Sequence, residues 1–486
     1  MVNYRRLRLF FGILASILVC GGDIYSQPIF TLKDAVHKAL ETTYAKNSQL
    51  MGGVVKLNRE IEEHIYEPDY TMLVKGSSDQ SEKGNPFIPD TEIAGVQLGV
   101  DQLFKTGTTL TAKADVFSQS QQFVSLDDID YFETAVSVGV EQDIWRNAFG
   151  VSDRAELKRL DIVRDIEIAE ITDLLEETVY QSTVIFWALV LSERQVEVSR
   201  QAMANAKTLY DHEVRKSRTG LSEIRIVEAV KANWLLRKVG YDQAVANYEA
   251  AKDQFLTVLD IREMPEISDN SELLMPLIHP PSFEYNWITQ SSQMRRYQSA
   301  LLLKDAHDID ALQALEKAKP KLVVFARTGF NGIDESLGDS MSDFVGLDHM
   351  SVEGGVKLTF SGGKQPLYAV KRAQLQKAIQ ENNIEMLTQD TQLELKNSSR
   401  QVALLKSVTD DSQQVAESLA RKYKEDLRQF DVGRLSIDEL IQSQDRHLES
   451  QLDAIKSKYQ YLQAVCRHFR VDNTLLSKIA FLKEQK

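Results

Sequence analysis

Cysteine is almost missing from this chain: Cys20 and Cys466 are the two present in 486 residues. Two thiols exclude a disulfide framework and a cysteine-based zinc site. Histidine is sparse as well, and the His212-Glu213 pair is followed by Lys216 where a HExxH zinc motif needs its second histidine. GGK at 362–364 lacks the leading Gly and trailing Ser or Thr of a phosphate loop, and neither GxSxG nor GxGxxG occurs. No catalytic centre, cofactor or metal site is therefore expected. A basic excess is missing too: 57 Lys and Arg against 71 Asp and Glu leave a net charge of -14, which argues against nucleic acid as a partner. Proline is scarce at ten residues, and no low-complexity linker divides the chain into ordinary domains.

Long apolar runs are the last absence. The first 26 residues combine a basic VNYRRLR, a twelve-residue apolar LFFGILASILVC and the small-residue region IYS, which predicts a secretory leader over 1–26. The apolar part is short of the roughly 20 residues that a membrane-spanning helix needs. Val19 occupies a position that lipidation of Cys20 would give to a small residue. The longest later run, VIFWALVL at 184–191, is shorter still. If the mature chain enters a membrane, it must do so with strands.

What is present begins with two long stretches free of Gly and Pro, Val151 to Thr219 and Leu367 to Val432, each followed by a lone glycine, Gly220 and Gly433. Helices of that length would run about 100 Å and need coiled-coil or bundle partners. A glycine at such a place serves a left-handed conformation that ends one helix and starts another, the corner of an αα-hairpin. Tyr210 and Tyr423 lie ten residues before the two glycines, and Tyr248 and Tyr461 lie twenty-eight after them. The chain reads as a duplication with a period near 213 residues, one repeat over 27–270 and a second over 271–486. Ile168, Leu175, Leu189, Val196, Met203 and Tyr210 keep a seven-residue register broken by Ser182, while Ile379, Met386 and Leu393 keep one that Arg400 breaks. Such imperfect registers suit helices packed edge to edge in a large assembly.

Between the helices the period changes to two. GVQLGVDQLF sets Val96, Leu98 and Val100 against Gln97, Gly99 and Asp101, and LTAKADV, AVSVGVEQ and SVEGGVKLTF alternate in the same way. One apolar face and one polar, charged face suit a transmembrane β-barrel, although a half-buried soluble sheet would alternate alike. Long polar connections near 78–92 and 119–132 alternate with the short turn KTGT at 105–108, as in outer-membrane barrels. Strands are expected over about 69–144 and 320–360, with an acidic loop, NGIDESLGDSMSDFVGLDHM, in the second group.

In their duplicated order, the segments TLKDAVHKAL at the mature start, PDYTMLVKG and PKLVVFARTG entering the strands, VEQDIWRNAFG and VKLTFSGGKQ leaving them, TVIFWALVLSERQVEVSRQAMANAKTLY on the first long helix and the two glycine corners resemble the TolC-like outer-membrane factors over essentially the whole mature chain. The resemblance implies an α+β membrane protein: a long antiparallel α-helical barrel continuous with a transmembrane β-barrel, built from two internal repeats and trimeric. It implies an exit duct in the cell outer membrane, its helical part in the periplasm, serving a tripartite efflux or type I secretion system. The implied partners are two further copies of the chain, a periplasmic adaptor protein, outer-membrane lipid and, indirectly, an inner-membrane transporter. The corners would be the closed periplasmic tips, with Thr219, Gly220, Leu221, Ser222, Val432, Gly433, Arg434, Leu435 and Ser436 docking the adaptor.

Family gate residues are matched only in part. Phe430 stands at an aromatic position and Glu439 at a tip acid, helped by Asp438, but Gln442 replaces a second acid, Leu435 an arginine, and Ile226 an acid in the first repeat. Asp438 and Glu439 also fit a plain role as favourable charge at the start of a helix after Ser436, and both readings stay open. A periplasmic coiled-coil scaffold without a pore is the alternative function. Finally, the span from Pro68 to Trp145 exceeds that from Pro320 to Gly363 by two alternating segments joined by KTGT. Six strands per protomer, and about eighteen in a trimer, are expected in place of the four and twelve of the simplest family architecture.

Overall fold

The computed structural model describes residues 30–81, 88–122, 128–220, 222–267, 290–346, 349–360 and 363–481. The expected leader with Cys20, the repeat boundary at 270–271 and Leu221 lie outside the described residues. Two short helices, α1 (Leu32–Glu41) and α2 (Thr43–Glu63), lead into strands β1 (Asp69–Asp79), β2 (Asp90–Leu103), β3 (Thr108–Gln122) and β4 (Ile129–Asp143). The long hairpin of α3 (Val151–Arg218) and α4 (Ile224–Val258) follows. After the undescribed segment come α5 (Arg295–Ala318), β5 (Lys321–Asp334), α6 (Leu337–Gly346) and β6 (Met350–Thr359). A second long hairpin, α7 (Gln365–Asp431) and α8 (Ile437–Val471), precedes the short α9 (Leu475–Phe481).

The strands form one six-stranded sheet in sequence order, antiparallel throughout. Residues 95–118 are paired on both sides, β2 to β1 and β3 to β4. Register decides the chemistry of the faces, because side chains alternate with period two. Leu98 pairs Met72 and Ala114, Ala114 pairs Val136, Val136 pairs Phe330, and Phe330 pairs Met350. The even-numbered residues thus make one apolar face over all six strands. Away from Thr134 and Gly332 that face is largely open: Met72, Val74 and Val352 are 69%, 70% and 71% exposed. The odd-numbered face carries Lys113, Asp115, Glu133, Glu141, Arg327, Glu353 and Lys357, with Arg327 and Glu353 paired at 3.8 Å.

The stretch expected as an acidic loop holds more structure than that. β5 runs on to Asp334, and α6 occupies Leu337–Gly346. Ser336 caps that helix by accepting from the Asp339 N–H at 3.1 Å. The helix has ten residues, too few for its period to stand out in sequence.

Both long hairpins meet α1 in one core. Trp187, Phe186, Leu189 and Val190 of α3 are fully buried with Tyr459 of α8, Phe255 of α4 and Val36 of α1. Phe186 and Trp187 meet edge to face at 5.2 Å, and Trp187 lies 5.5 Å from Tyr459. Among the described residues, α3 is the one helix whose length and composition would let it cross a membrane. Its residues Phe186, Trp187, Leu189 and Val190 are buried against other helices, so their hydrophobicity serves helix packing. Beside the core, the buried Glu176 carboxylate is satisfied by the Arg295 guanidinium, by Asn473 Nδ2 at 3.3 Å and by the Leu476 N–H at 3.3 Å. A carboxylate buried at 1% exposure is tolerable because both of its oxygens accept hydrogen bonds and one faces a guanidinium.

The two hairpins share particular devices. α3 and α7 have 68 and 67 residues, and α4 and α8 have 35 each. Tyr210, ten residues before Gly220, stacks on Trp234 at 5.4 Å. Tyr423, ten before Gly433, stacks on His447 at 5.4 Å, and Trp234 and His447 each stand fourteen residues after their glycine. Forty residues after each glycine, Asp260 and Asn473 take left-handed φ values of 51° and 54°. Asp260 accepts from the Thr43 N–H at 3.0 Å at the start of α2, and Asn473 from the Arg295 N–H at 2.9 Å at the start of α5.

At the junction of sheet and helix the backbone turns sharply. Asn147, Phe149 and Gly150 have φ of 60°, 50° and 74°. A Cβ on Gly150 would lie 2.1 Å from the Lys105 carbonyl oxygen, because the β2–β3 turn rests on this glycine. Gly150→Ala combines a disfavoured φ with a clash against backbone and should cost at least about 2 kcal/mol. The expected result is a marked drop in the protease-resistant fraction after refolding into detergent, with Gly52→Ala, where open space surrounds the added methyl, near wild type.

Candidate functional site at the helical tips

The expected tip residues fall at the two hairpin corners, and the corners are joined. Gly433 takes φ +75°, with its N–H bonded to the Phe430 carbonyl at 2.9 Å and the Arg434 N–H to the Gln429 carbonyl at 2.8 Å. These two bonds are the Schellman closure of a helix end, which needs a left-handed residue at this position. Gly220 takes φ +77°, and its N–H bonds the Ser217 carbonyl at 3.0 Å. Thr219 folds its hydroxyl onto the Lys216 carbonyl at 2.9 Å. A Cβ on either glycine would meet nothing within 4 Å, so conformation alone selects glycine at both corners. Val432 caps α7 with its side chain 67% exposed.

Ser436 starts α8 through a reciprocal capping box. Its hydroxyl accepts from the Glu439 N–H at 3.3 Å, while Glu439 Oε2 accepts from the Ser436 N–H at 3.1 Å and hydroxyl at 2.7 Å. Hydrogen bonds from the Ser436 hydroxyl and then its backbone N–H hold the Glu439 carboxyl below its ordinary pKa. A lowered carboxylate pKa contributes above the ordinary range and is lost as pH falls through the folded value. Glu439 therefore stays ionised in mild acid. Asp438 is exposed on the same first turn.

Phe430 and Leu435 are half-buried against Val230, Ile437 and Leu440, a small cluster shared by the two hairpins. The Lys216 ammonium sits 5.5 Å from the centre of the Phe430 ring, a cation–π contact from the first corner to the second. Above this cluster Asn233 Nδ2 donates to Gln444 Oε1 at 3.0 Å, and Arg237 pairs with Asp445.

No protein-family model and no curated protein sequence matches the chain. Solved structures do. The CmeC outer membrane channel of Campylobacter jejuni superposes with a TM-score of 0.67 over 91% of this chain and 86% of that chain, at 13% identity. CusC, described for its transmembrane channel formation, gives 0.68 over 92% of each chain at 10% identity. The open state of the Neisseria gonorrhoeae MtrE outer membrane channel gives 0.66 over 91% and 89% at 12% identity. The chain has the outer-membrane efflux channel fold. This is the fold of the TolC-like family that its motifs resemble.

Within that fold, sequence reasoning passed over an acid below each corner. Glu213 is 3% exposed and accepts from the Ser222 hydroxyl at 2.8 Å across the first corner, with Lys216 Nζ at 3.3 Å and His212 Nδ1 at 3.2 Å. In the second hairpin Asp426 lies 2.5 Å from Lys422 Nζ, and Lys422 first and Ser443 second hold its carboxyl below the ordinary range. Both acids stand seven residues before their glycine, the signal by which the repeat could have found them. Losing one hydroxyl-to-carboxylate bond at a part-buried site costs about 1 kcal/mol or more. Ser222→Ala should thus speed amide hydrogen exchange roughly fivefold over the first corner and leave the second unchanged.

Proposed function

We propose that the chain is the outer-membrane exit duct of an efflux or type I secretion system. It passes substrates received from an inner-membrane pump through a periplasmic adaptor to the outside. The observation that carries this reading is the largely open apolar face on a sheet whose other face is charged, joined directly to two helical hairpins about 100 Å long. Strands of 14 or 15 residues would extend about 45 to 50 Å, ample for an outer-membrane apolar band of roughly 25 Å. The even face meets lipid and the odd face lines water.

The assembly is a homotrimer. In one chain β1 and β6 are sheet edges, which lipid does not tolerate, so the β6 edge of one copy pairs with β1 of the next. Six strands per copy close a barrel of about eighteen. Leu375, Ile379, Met386 and Leu393 form an exposed stripe on α7 that a neighbouring copy covers. The two halves, 27–270 and 271–486, are repeats, supported by the matching corners, stacked aromatics and left-handed Asx residues. The helices form the periplasmic barrel. Thr219–Ser222 and Val432–Ser436 dock the adaptor, while Phe430, Asp438 and Glu439 close the tip.

The first test is location. The mature protein should partition to the outer membrane as an SDS-resistant trimer, and a soluble periplasmic species would support the scaffold instead. Gly433→Val should reach the membrane yet lose most export, whereas Gly433→Asn, which tolerates positive φ, should keep it. Full export by Gly433→Val would remove the corner from adaptor docking. Three Glu439 carboxylates near a threefold axis repel and bind cations. Glu439→Gln should therefore weaken block of single-channel current by a trivalent cation. Unchanged block removes Glu439 from the gate, and leaves it as the helix cap alone.

A further inference from the structure

Helix α6 lies on the apolar side of the sheet rather than across its polar side. The Ser340 side chain is fully buried, and its hydroxyl donates to the Gly332 carbonyl at 2.9 Å and stands 3.0 Å from Thr134 Oγ1. Thr134 and Gly332 are partners across the β4–β5 pair. Thr134 shares its face with Val136, Val138 and Val140, the apolar face of β4, and it is buried at 4% while Val138 and Val140 remain open. This accounts for a polar residue in an otherwise apolar row: Thr134 meets a helix. The contact lies toward the Ile129 end of β4, away from the end at Asp143 that leads into α3.

A helix docked on a sheet in a water-soluble domain would turn its apolar residues onto the sheet. Here, among the side chains described, a serine touches the sheet. Leu337 and Met341, one helical turn apart, are left 42% and 52% exposed, while Asp339 and Asp343 are exposed on another stripe. Since Ser340 faces the sheet, helical geometry puts Leu337 and Met341 on one flank of the helix and Asp339 and Asp343 on the other. That is the pattern of a helix in the plane of a membrane interface.

We propose that α6 is an interfacial helix that seats the outer rim of the barrel at the lipid–water boundary, its partner being the acyl chains just below the headgroups. The Ser340 hydroxyl fixes the helix to the wall, and Leu337 and Met341 extend the lipid-facing band outward. The inference rests on the reading that the even face meets lipid, and the test separates the two. Nitroxide labels are placed by Met341→Cys, Asp339→Cys and Val352→Cys, each in full-length protein with Cys20→Ala and Cys466→Ala, reconstituted in phosphatidylcholine and phosphatidylglycerol vesicles. Val352 reports the wall itself. The Met341 and Val352 labels should collide several-fold more with oxygen than with a water-soluble nickel chelate, and the Asp339 label should show the reverse. A Met341 label as open to the chelate as the Asp339 label, with Val352 in lipid, overturns the interfacial helix and leaves the barrel standing. A Val352 label in water overturns both.

Discussion

The pairing of β4 with β5 is the constraint on which the rest depends. It joins strands from the two halves of the chain, from Phe132 against Asp334 to Asp143 against Val323. Each half alternates apolar and polar residues on its own, but only a register that sets Val136 against Phe330 and Val138 against Thr328 puts both apolar sets on one side. A slip of one residue would place the apolar set of β5 and β6 among the charges of the first four strands. The same pairing sets where α3 and α7 leave the sheet, since each starts within a few residues of its strand's end. Helices of nearly equal length then carry both corners to the same level, where Lys216 meets Phe430.

Two buried carboxylates in the helical part are held by donors from other elements. Glu176 ties the start of α5 and the end of α8 to α3, and Glu213 ties Ser222 across the first corner. A buried carboxylate missing one of these donors would be costly, so each fixes a geometry that apolar packing alone leaves loose. The second corner uses a different device, with the Schellman closure at Gly433 and the capping box of Ser436 and Glu439 back to back. Glu439 is thereby a structural cap first. A carboxylate held by its own helix terminus is oriented and ionised, and those are the properties a tip ring requires.

The two polar–apolar boundaries of the chain have opposite physics. In the hairpins, water is outside and apolar residues such as Trp187 and Tyr459 meet each other. In the sheet, most of the apolar face is left uncovered by the chain, and charged residues pair between neighbouring strands of the other face, as Arg327 and Glu353 do. Lys105 marks the crossing: its ammonium pairs with Glu63 at the end of α2, and its carbonyl rests on Gly150 where the sheet gives way to α3.

Much of this was legible without coordinates. Glycine-free runs announce long helices, and a lone glycine after each can be explained only by a positive φ, which a residue with a Cβ avoids. Period-two alternation over 95–118 marks two strands because a hairpin left outside the sheet would expose Val96, Leu98 and Val116 to water. Other features depend on contacts between residues far apart in sequence. The burial of Glu213, the grip of Glu176 on Arg295, and the seat of Ser340 on Thr134 leave no local pattern, since a buried acid and a surface acid look alike in a helix. Local sequence determined the period, the corners and the strands, because those follow from each residue's own backbone and side-chain preferences. Tertiary structure alone decided register, which carboxylates are buried, and on which face of the sheet α6 rests, because those are settled by partners that local preference does not choose.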